Sequence, residues 1–269
     1  MIDRRRFIAT GVAGVAGLVF RQAWANPGSW PMPGPGRNYG VAGPTPSPTP
    51  SPTPTPTPPP GDPAWTHFAT ESNGIDNTGQ GSVSVLVNNV PAGALVVVNV
   101  SAWSSSMVVS GVSDGTSAFV STPATPGNTI LVVQQWYLLS ANSGNRVYTA
   151  TFTSGGDYPI ISAQVVTYSG TIAYDTGNRD DGFGDPISSG AISTTGTYPA
   201  VFGVYHNYNP VAISSPLIGG NAWQNYTNVL ADYVHAGWYD GSVSSGAATA
   251  SIGSGQPWVC GVIAFKEAS

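Results

Sequence analysis

The sequence has few charged residues and almost no basic ones. Asp, Glu, Lys and Arg together make up 8% of its 269 residues. Between residues 65 and 269, three basic residues stand against eleven acidic ones, a net charge of −8. A domain with this charge repels phosphate groups, which excludes nucleic acid as a partner and disfavours anionic membrane surfaces. Its polarity comes instead from Ser, Thr, Asn and Gly.

Cysteine and long apolar runs are scarce as well. Cys260 is the only cysteine, so an intramolecular disulfide cannot form. It lies in the apolar stretch "WVCGVIAF", which predicts a small buried side chain rather than a reactive thiol. The apolar run at residues 7–20 is shorter than the roughly 20 residues that a membrane-spanning helix needs. We therefore expect no transmembrane helix once this segment has been cleaved.

The N-terminus has the pattern of an export signal. "DRRRFIATG" (residues 3–11) resembles the twin-arginine signal, with paired arginines, one further residue and then an apolar pair. "AWA" (23–25) is a small-x-small cleavage pattern. The resemblance implies a signal peptide at 1–25 and a bacterial protein exported in the folded state to the periplasm, cell surface or exterior. An ordinary secretion signal or an uncleaved anchor is the alternative, and either places the rest of the chain outside the cytoplasm.

Two Pro-rich segments follow the signal. Residues 26–43 are mostly Pro and Gly, and we expect this segment to be disordered because it is too short to bury a core. Residues 44–63 alternate Pro with Ser and Thr, beginning "PTPSPTPSPTP". Alternating proline favours an extended polyproline II rod without internal hydrogen bonds. This linker is predicted to hold one domain, residues 64–269, away from its surroundings.

The domain has the pattern of short strands separated by turns. Apolar runs rich in Val, Ile, Tyr and Phe are bounded by Gly, Asn, Ser and Pro, and none shows a sustained helical period. The predicted strands are 82–87, 94–103, 130–139, 147–152, 160–169, 200–208, 230–240, 248–252 and 258–266. The segment 174–190, "YDTGNRDDGFGDPISSG", is expected to be a flexible connector.

The strand pattern is repeated within the domain. The order "ALVVVNVSAW", "VVQQWYLLSANSGNRVYTATF", "YPIISAQVVTYSG" returns as "AVFGVYHNYN", "VHAGWYDGSVSSGAATASI", "PWVCGVIAFK", with Trp136-Tyr137 aligned on Trp238-Tyr239. The halves span about 82–170 and 190–267. A duplicated four-strand unit predicts an all-β fold, a two-sheet antiparallel β-sandwich of the jelly-roll type.

In pattern and composition the domain resembles secreted bacterial jelly-roll and concanavalin A-like lectin sandwiches, in the style of carbohydrate-binding modules. The resemblance implies a non-catalytic protein that binds a polysaccharide or a cell-surface glycan, and it identifies no site residues. A cell-surface structural or adhesion protein and a polysaccharide-active glycoside hydrolase or lyase are the alternatives. The oligomeric state is left open.

Aromatic side chains are the candidate sugar-binding residues, because sugars stack C–H faces on rings and offer hydroxyls to polar tips. Strand alternation places Trp136 and Trp238 on faces with apolar neighbours, which predicts that both are core residues. The opposite face of the second strand and several strand ends then provide the candidates. They are Trp103, Tyr208, Trp223, Tyr226, Tyr233, His235 and Tyr239.

The sequence also contains candidates for a metal site and for a catalytic serine. Asn178, Asp180, Asp181 and Asp185 lie close together in the connector, and clustered carboxyl oxygens suit a structural Ca²⁺ ion, although a solvated acidic turn has the same pattern. "GVSDG" (111–115) matches the G-x-S-x-G motif, but no helix follows it, so a β-turn is the better interpretation. No alternating Glu-x-Asp-x-Glu run supplies a glycosidase acid pair.

Overall fold

The computed structural model describes residues 64–103, 108–122, 130–209, 211–229, 233–241, 243–253 and 255–268. The signal peptide, the Pro/Gly segment and the linker predicted at 1–63 lie outside these residues. Within the described ranges the secondary structure is entirely β. No helix among these residues is long and apolar enough to cross a bilayer.

Among the described residues, the first half of the domain contains seven strands. They are β1 (Trp65–Gly74), β2 (Gln80–Val90), β3 (Leu95–Trp103), β4 (Val109–Ser113), β5 (Val120–Ser121), β6 (Leu131–Leu138) and β7 (Gly144–Tyr168). The long strand β7 serves two sheets. Its first part pairs with β2 and β4, and its second part pairs with β1 and β3. We call the sheet β1-β7-β3-β6-β5 sheet A, and the sheet of β2, β7 and β4 sheet B.

The part of the second half that the structure describes contains eleven strands. They are β8 (Ile172–Phe183), β9 (Ile187–Ser188), β10 (Ile192–Ser193), β11 (Ala200–Asn207), β12 (Ser214–Ile218), β13 (Asn221–Ala222), β14 (Gln224–Val229), β15 (Val234–Asp240), β16 (Ser245–Gly246), β17 (Ala248–Ser251) and β18 (Pro257–Glu267). Sheet C has the order β14-β15-β11-β18-β8, and sheet D has the order β13-β12-β17-β9. Strands β10 and β16 form a separate pair.

The two halves share one topology. In the first half β1 pairs with the end of β7, β2 with its beginning, and β3 with β6. In the second half β8 pairs with β18, β9 with β17, and β11 with β15. Pairing first strands with last strands across two sheets is the nesting of a jelly roll. The structure thus confirms an all-β, antiparallel, internally duplicated sandwich, and each half also uses a strand, β1 or β8, that lies outside the expected limits 82–170 and 190–267.

The two sandwiches stack into four layers in the order B, A, C, D. One cluster of buried residues lies between sheets A and B, and another lies between C and D. Two further clusters contain residues of both A and C, including Leu95 and Val97 against Phe202 and Phe265. Sheets A and C are therefore covered on both faces, and the expected pair of sheets occurs twice, once in each half.

This layering explains the composition of the central strands. Along β3, Val96, Val98 and Val100 face sheet B, while Leu95 and Val97 face sheet C. A strand covered on both faces gains nothing from alternation, so its apolar residues are consecutive. Strand β2 belongs to a sheet with one outer face, and it alternates buried valines with serines and a leucine that lie on the other face.

A ladder of polar side chains from three strands of sheet A lies within the buried contact between sheets A and C. The amide nitrogen of Asn99 donates to Ser162 (3.1 Å) and Gln164 (3.3 Å), and Gln135 donates to Asn99 (3.0 Å). Gly261 of sheet C lies opposite, where a Cβ atom would come 2.8 Å from the side-chain oxygen of Gln135. These side chains are buried and bond to one another, although Nε2 of Gln164 has no hydrogen-bond partner among the described residues.

The sequence alignment of the two halves is one residue out of the structural register. Trp136 pairs with Val98 and packs between sheets A and B, whereas Trp238 pairs with Phe202 and packs between A and C. Tyr137, rather than Trp136, packs into the A–C contact as Trp238 does. Because a shift of one position moves a strand residue to the opposite face, the matched tryptophans are both buried but point in opposite directions.

The segment expected to be a flexible connector is largely strand. Residues 172–183 form β8, which pairs with β18 along its whole length as the edge strand of sheet C. The guanidinium of Arg179 on β8 also donates to the carbonyl of Val133 on β6, which ties this edge to sheet A. Burial lowers the pKa of Arg179 from its ordinary value, although the charge of Asp181 opposes this.

Candidate functional site

Three of the predicted sugar-binding aromatics lie together at one end of the contact between sheets A and C. Trp103, Tyr208 and Tyr233 are half-buried and pack against the same apolar cluster. The ring centroid of Trp103 lies 4.7 Å from that of Tyr233 and 5.3 Å from that of Tyr158, in both cases edge to face. These rings cover one another, so they stabilise the joint between the sandwiches rather than present an open stacking face.

Three other predicted residues lie inside the second sandwich. Trp223 is 8% exposed, and its ring packs 4.8 Å from that of Tyr205. His235 is 0% exposed, and Tyr239 packs against the core between sheets C and D. The face of β15 that carries His235 and Tyr239 is therefore covered by Trp223 and sheet D instead of facing solvent. The side chain of Tyr226 lies outside the part of the chain that the structure describes.

The acidic residues proposed to bind Ca²⁺ lie along the edge strand and the turn after it. Asn178, Asp180 and Asp181 belong to β8, where successive side chains point to opposite faces. The carboxylate of Asp185 accepts hydrogen bonds from the hydroxyl of Ser251 (2.7 Å) and the amide of Ile252 (3.0 Å). Among the described residues no group of three or more His, Cys, Asp or Glu side chains could hold a metal ion.

The serine of the G-x-S-x-G stretch ends β4 at a turn. The hydroxyl of Ser113 accepts a hydrogen bond from the amide of Gly115 at 2.9 Å. The carboxylate of Asp114 accepts bonds from the amides of Thr116 and Ser117, which closes the turn. The stretch therefore has the local hydrogen bonds of a turn that caps a strand, as the sequence indicated.

A cleft that the sequence did not reveal lies at the other end of the contact between sheets A and C. Its volume is about 340 Å³, within the range of small-ligand sites. Three chain segments line it: the end of β7, the loop before β11 and the end of β18. The lining residues are Tyr168, Thr195, Gly196, Thr197, Tyr198, Lys266, Glu267 and Ala268. We call this site the Lys266 cleft.

A buried tryptophan holds the aromatic side of the Lys266 cleft. The ring of Trp65 packs 4.4 Å from that of Tyr168, and its indole nitrogen donates to the backbone carbonyl of Tyr198 at 2.8 Å. Trp65 is 5% exposed, whereas Tyr198 is 42% exposed. Trp65 thus packs on the ring of Tyr168 and fixes the backbone of Tyr198, whose side chain is exposed.

The polar side of the cleft is fixed by a short hydrogen-bond chain. The ammonium of Lys266 donates to the hydroxyl of Thr195 at 2.6 Å and lies 3.4 Å from the carboxylate of Asp175. The amide and hydroxyl of Thr195 both donate to Asp175, each at 2.6 Å. Burial alone would raise the pKa of Asp175, but the bonds from Thr195 and the charge of Lys266 outweigh it, and the pKa is lowered. Asp175 is therefore ionised and holds Lys266 in place.

Gly196 allows the loop to lie directly on β18. A Cβ atom at this position would come 2.6 Å from the Cβ atom of Lys266. Glu267 lies on the exposed rim, where its carboxylate accepts a hydrogen bond from the phenol of Tyr168. Burial, followed by the charge and the hydrogen bond of Glu267, raises the pKa of Tyr168. The cleft therefore combines two tyrosines, the ammonium of Lys266, two threonine hydroxyls and one exposed carboxylate.

The sequence offered little to identify this cleft. Tyr168 was placed at the end of a predicted strand, Tyr198 precedes another strand, and the Lys266-Glu267 pair ends the last one. These segments are far apart along the chain and meet only because β7 and β18 end, and β11 begins, at the same edge of the A–C contact. The available signal was an aromatic residue beside the end of each of two strands, a position that often carries binding residues.

Comparisons with known proteins add no identification to this geometry. No protein-family model matches the chain. No curated protein and no solved structure matches it either.

Proposed function

We propose that this protein is exported and binds carbohydrate without cleaving it, and that the Lys266 cleft is the sugar-binding site. The carrying observation is the pair of tyrosines anchored by Trp65 beside the fixed polar groups of Thr195 and Lys266. Rings that stack on sugar C–H faces, next to donors for sugar hydroxyls, are the two elements of a carbohydrate site. The contacts of Trp65 with the ring of Tyr168 and with the backbone of Tyr198 reduce the entropy that is lost on binding.

The carboxyl groups of the cleft favour binding over hydrolysis. Glycoside hydrolysis requires two carboxyl groups that flank the scissile bond. Among the residues that line the cleft, only Glu267 has a carboxyl group. The nearby carboxylate of Asp175 is 3% exposed and is occupied by Thr195 and Lys266. The ligand we propose is a polysaccharide or cell-surface glycan outside the cytoplasm, and the role we propose for the linker is to present the domain to it.

The test is a pull-down of the full chain on insoluble cellulose, xylan, chitin and peptidoglycan, with the supernatant assayed for released sugar. Tyr198→Ala removes the exposed ring but leaves the backbone carbonyl that accepts from Trp65. We expect this variant to bind about fivefold more weakly, since losing one stacked ring costs roughly 1 kcal/mol. Phe183→Ala is the matched control, because this phenylalanine is 74% exposed and is not a cleft residue.

The outcomes separate the alternatives. Depletion of the wild type and the control, weaker depletion of Tyr198→Ala and no released sugar would support the proposal. Released sugar would show that the protein is a hydrolase or lyase. No depletion on any polymer, or equal depletion of both variants, would overturn the assignment of the cleft as a sugar site.

A further inference from the structure

We propose that the Lys266 cleft prefers glycans that carry protonated amines, such as deacetylated amino sugars, over neutral and acidic glycans. The inference rests on the proposed function and adds the class of sugar. It is carried by the positions of the two opposite charges of the cleft, Lys266 and Glu267, which are adjacent in the sequence but differ in their partners.

The positive charge of the cleft is already compensated. Lys266 lies 3.4 Å from Asp175, and the side chain of Asp175 is 3% exposed, so this ion pair is partly removed from solvent. The ammonium also donates to Thr195. A carboxylate on a ligand would have to compete with Asp175 for Lys266 while it approaches Glu267. Acidic glycans such as polyuronates are therefore disfavoured.

The negative charge of the cleft is not compensated in the same way. Glu267 is exposed, and its hydrogen bond from the phenol of Tyr168 is a bond to a neutral donor. Neither of the two salt bridges between described residues includes Glu267. A carboxylate has about four lone-pair sites, so the bond from Tyr168 leaves room for a second, charged donor. A ligand ammonium would form a charge-assisted hydrogen bond there.

The tyrosine rings and the charge of the domain favour the same ligand. A cation over the face of a tyrosine is attracted by the ring quadrupole, and Tyr198, which is 42% exposed, lines the same cleft as this carboxylate. Residues 65–269 have a net charge of −8, which attracts polycations and repels polyanions at long range. The local and the long-range electrostatics therefore both select for amine-bearing glycans.

The experiment compares three probes with the full chain: chitosan, chitin oligosaccharides and polygalacturonate. Binding is measured at about pH 5.5 and low salt, where Glu side chains are ionised and chitosan amines are protonated. Glu267→Gln removes the charge of the rim and keeps its shape. Glu71→Gln is the matched control. Glu71 is exposed on β1 and is not a cleft residue, so this substitution makes the same change in net charge away from the cleft.

We expect the wild type to bind chitosan at least about fivefold more tightly than chitin oligosaccharides and to bind polygalacturonate the least. Glu267→Gln should lose that preference and keep its affinity for chitin oligosaccharides, while Glu71→Gln should behave as the wild type. Equal affinity for chitosan and chitin, or equal losses in the two variants, would overturn the inference and leave carbohydrate binding in place. Failure to bind any glycan would instead overturn the proposed function.

Discussion

Trp223 lies flat on two glycines, and this contact leads to a quantitative prediction. Gly203 on β11 and Gly237 on β15 are paired directly across the strands. A Cβ atom on Gly237 would come 2.2 Å from Trp223 Cε3, and one on Gly203 would come 2.5 Å from Trp223 Cζ2. Carbon atoms in contact are normally about 3.5 to 4.0 Å apart. The indole would therefore have to move by more than about 1 Å to accommodate Gly237→Ala.

We expect Gly237→Ala to destabilise the domain by about 2 kcal/mol. Overpacking a buried site by one methyl group costs roughly 1–3 kcal/mol. The loss of chain entropy on folding is smaller for alanine than for glycine, which offsets roughly 0.5–1 kcal/mol of that cost. We place the net cost in the upper part of this range because the indole is buried between sheets C and D and has little room to move. The melting temperature should fall by roughly 4–8 °C.

The assay is urea unfolding of the wild type, Gly237→Ala, Trp223→Ala and the double variant. Trp223→Ala should cost about 3–5 kcal/mol. In its background Gly237→Ala should cost almost nothing, because the clashing ring is absent, and the coupling energy should be roughly 1–3 kcal/mol. Gly81→Ala is the control, since nothing lies within 4 Å of its Cβ position. If Gly237→Ala cost no more than this control, or if the two changes were additive, the packing argument would be refuted.

Two further predictions concern buried titratable groups. Burial lowers the pKa of His206 to about 3, below the roughly 6.5 of an unfolded histidine. As the pH falls, the unfolded chain therefore takes up the proton first. The stability that is present above about pH 6.5 is lost as the pH falls towards 3. Between about pH 7 and pH 4 the wild type should lose more unfolding free energy than His206→Gln, and equal slopes would contradict this. Burial raises the pKa of the Cys260 thiol well above its ordinary value, so a thiol reagent should modify the unfolded chain only. Stoichiometric labelling of the folded protein would contradict the burial of Cys260.

The strands that the sequence predicted are those in which the spacing of apolar residues shows which faces are buried. The run "LVVV" in β3 and the alternation "SVSVLV" in β2 both indicate a strand, because an apolar side chain at a fixed spacing requires a covered face. Strands β1 and β8 were missed because their sequences, "WTHFATESNG" and "IAYDTGNRDDGF", are largely polar. Both are edge strands, and their conformation comes from hydrogen bonds to β7 and β18 rather than from their own side chains.

Strand alternation identified the faces of β15 but not what covers them. Trp238 and Ala236 were correctly grouped on one apolar face. The opposite face, with His235 and Tyr239, supplied candidate sugar-binding residues because its aromatic side chains have polar tips. In the structure sheet D covers it, and Gly237 beneath Trp223 is the residue that allows the close contact. A glycine in a strand signals a close approach, although it does not identify what approaches.

The sequence by itself determined the all-β class, the duplication, the acidic charge and the absence of disulfides, because each follows from residue types and their spacing along the chain. Tertiary structure alone decided that the sandwiches stack in four layers, that the edge strands form, and that Tyr168, Tyr198 and Lys266 line one cleft. The physical reason is that these features depend on which surfaces meet. Most of the contacts join residues that are far apart in the chain, so the local spacing of apolar residues does not predict them.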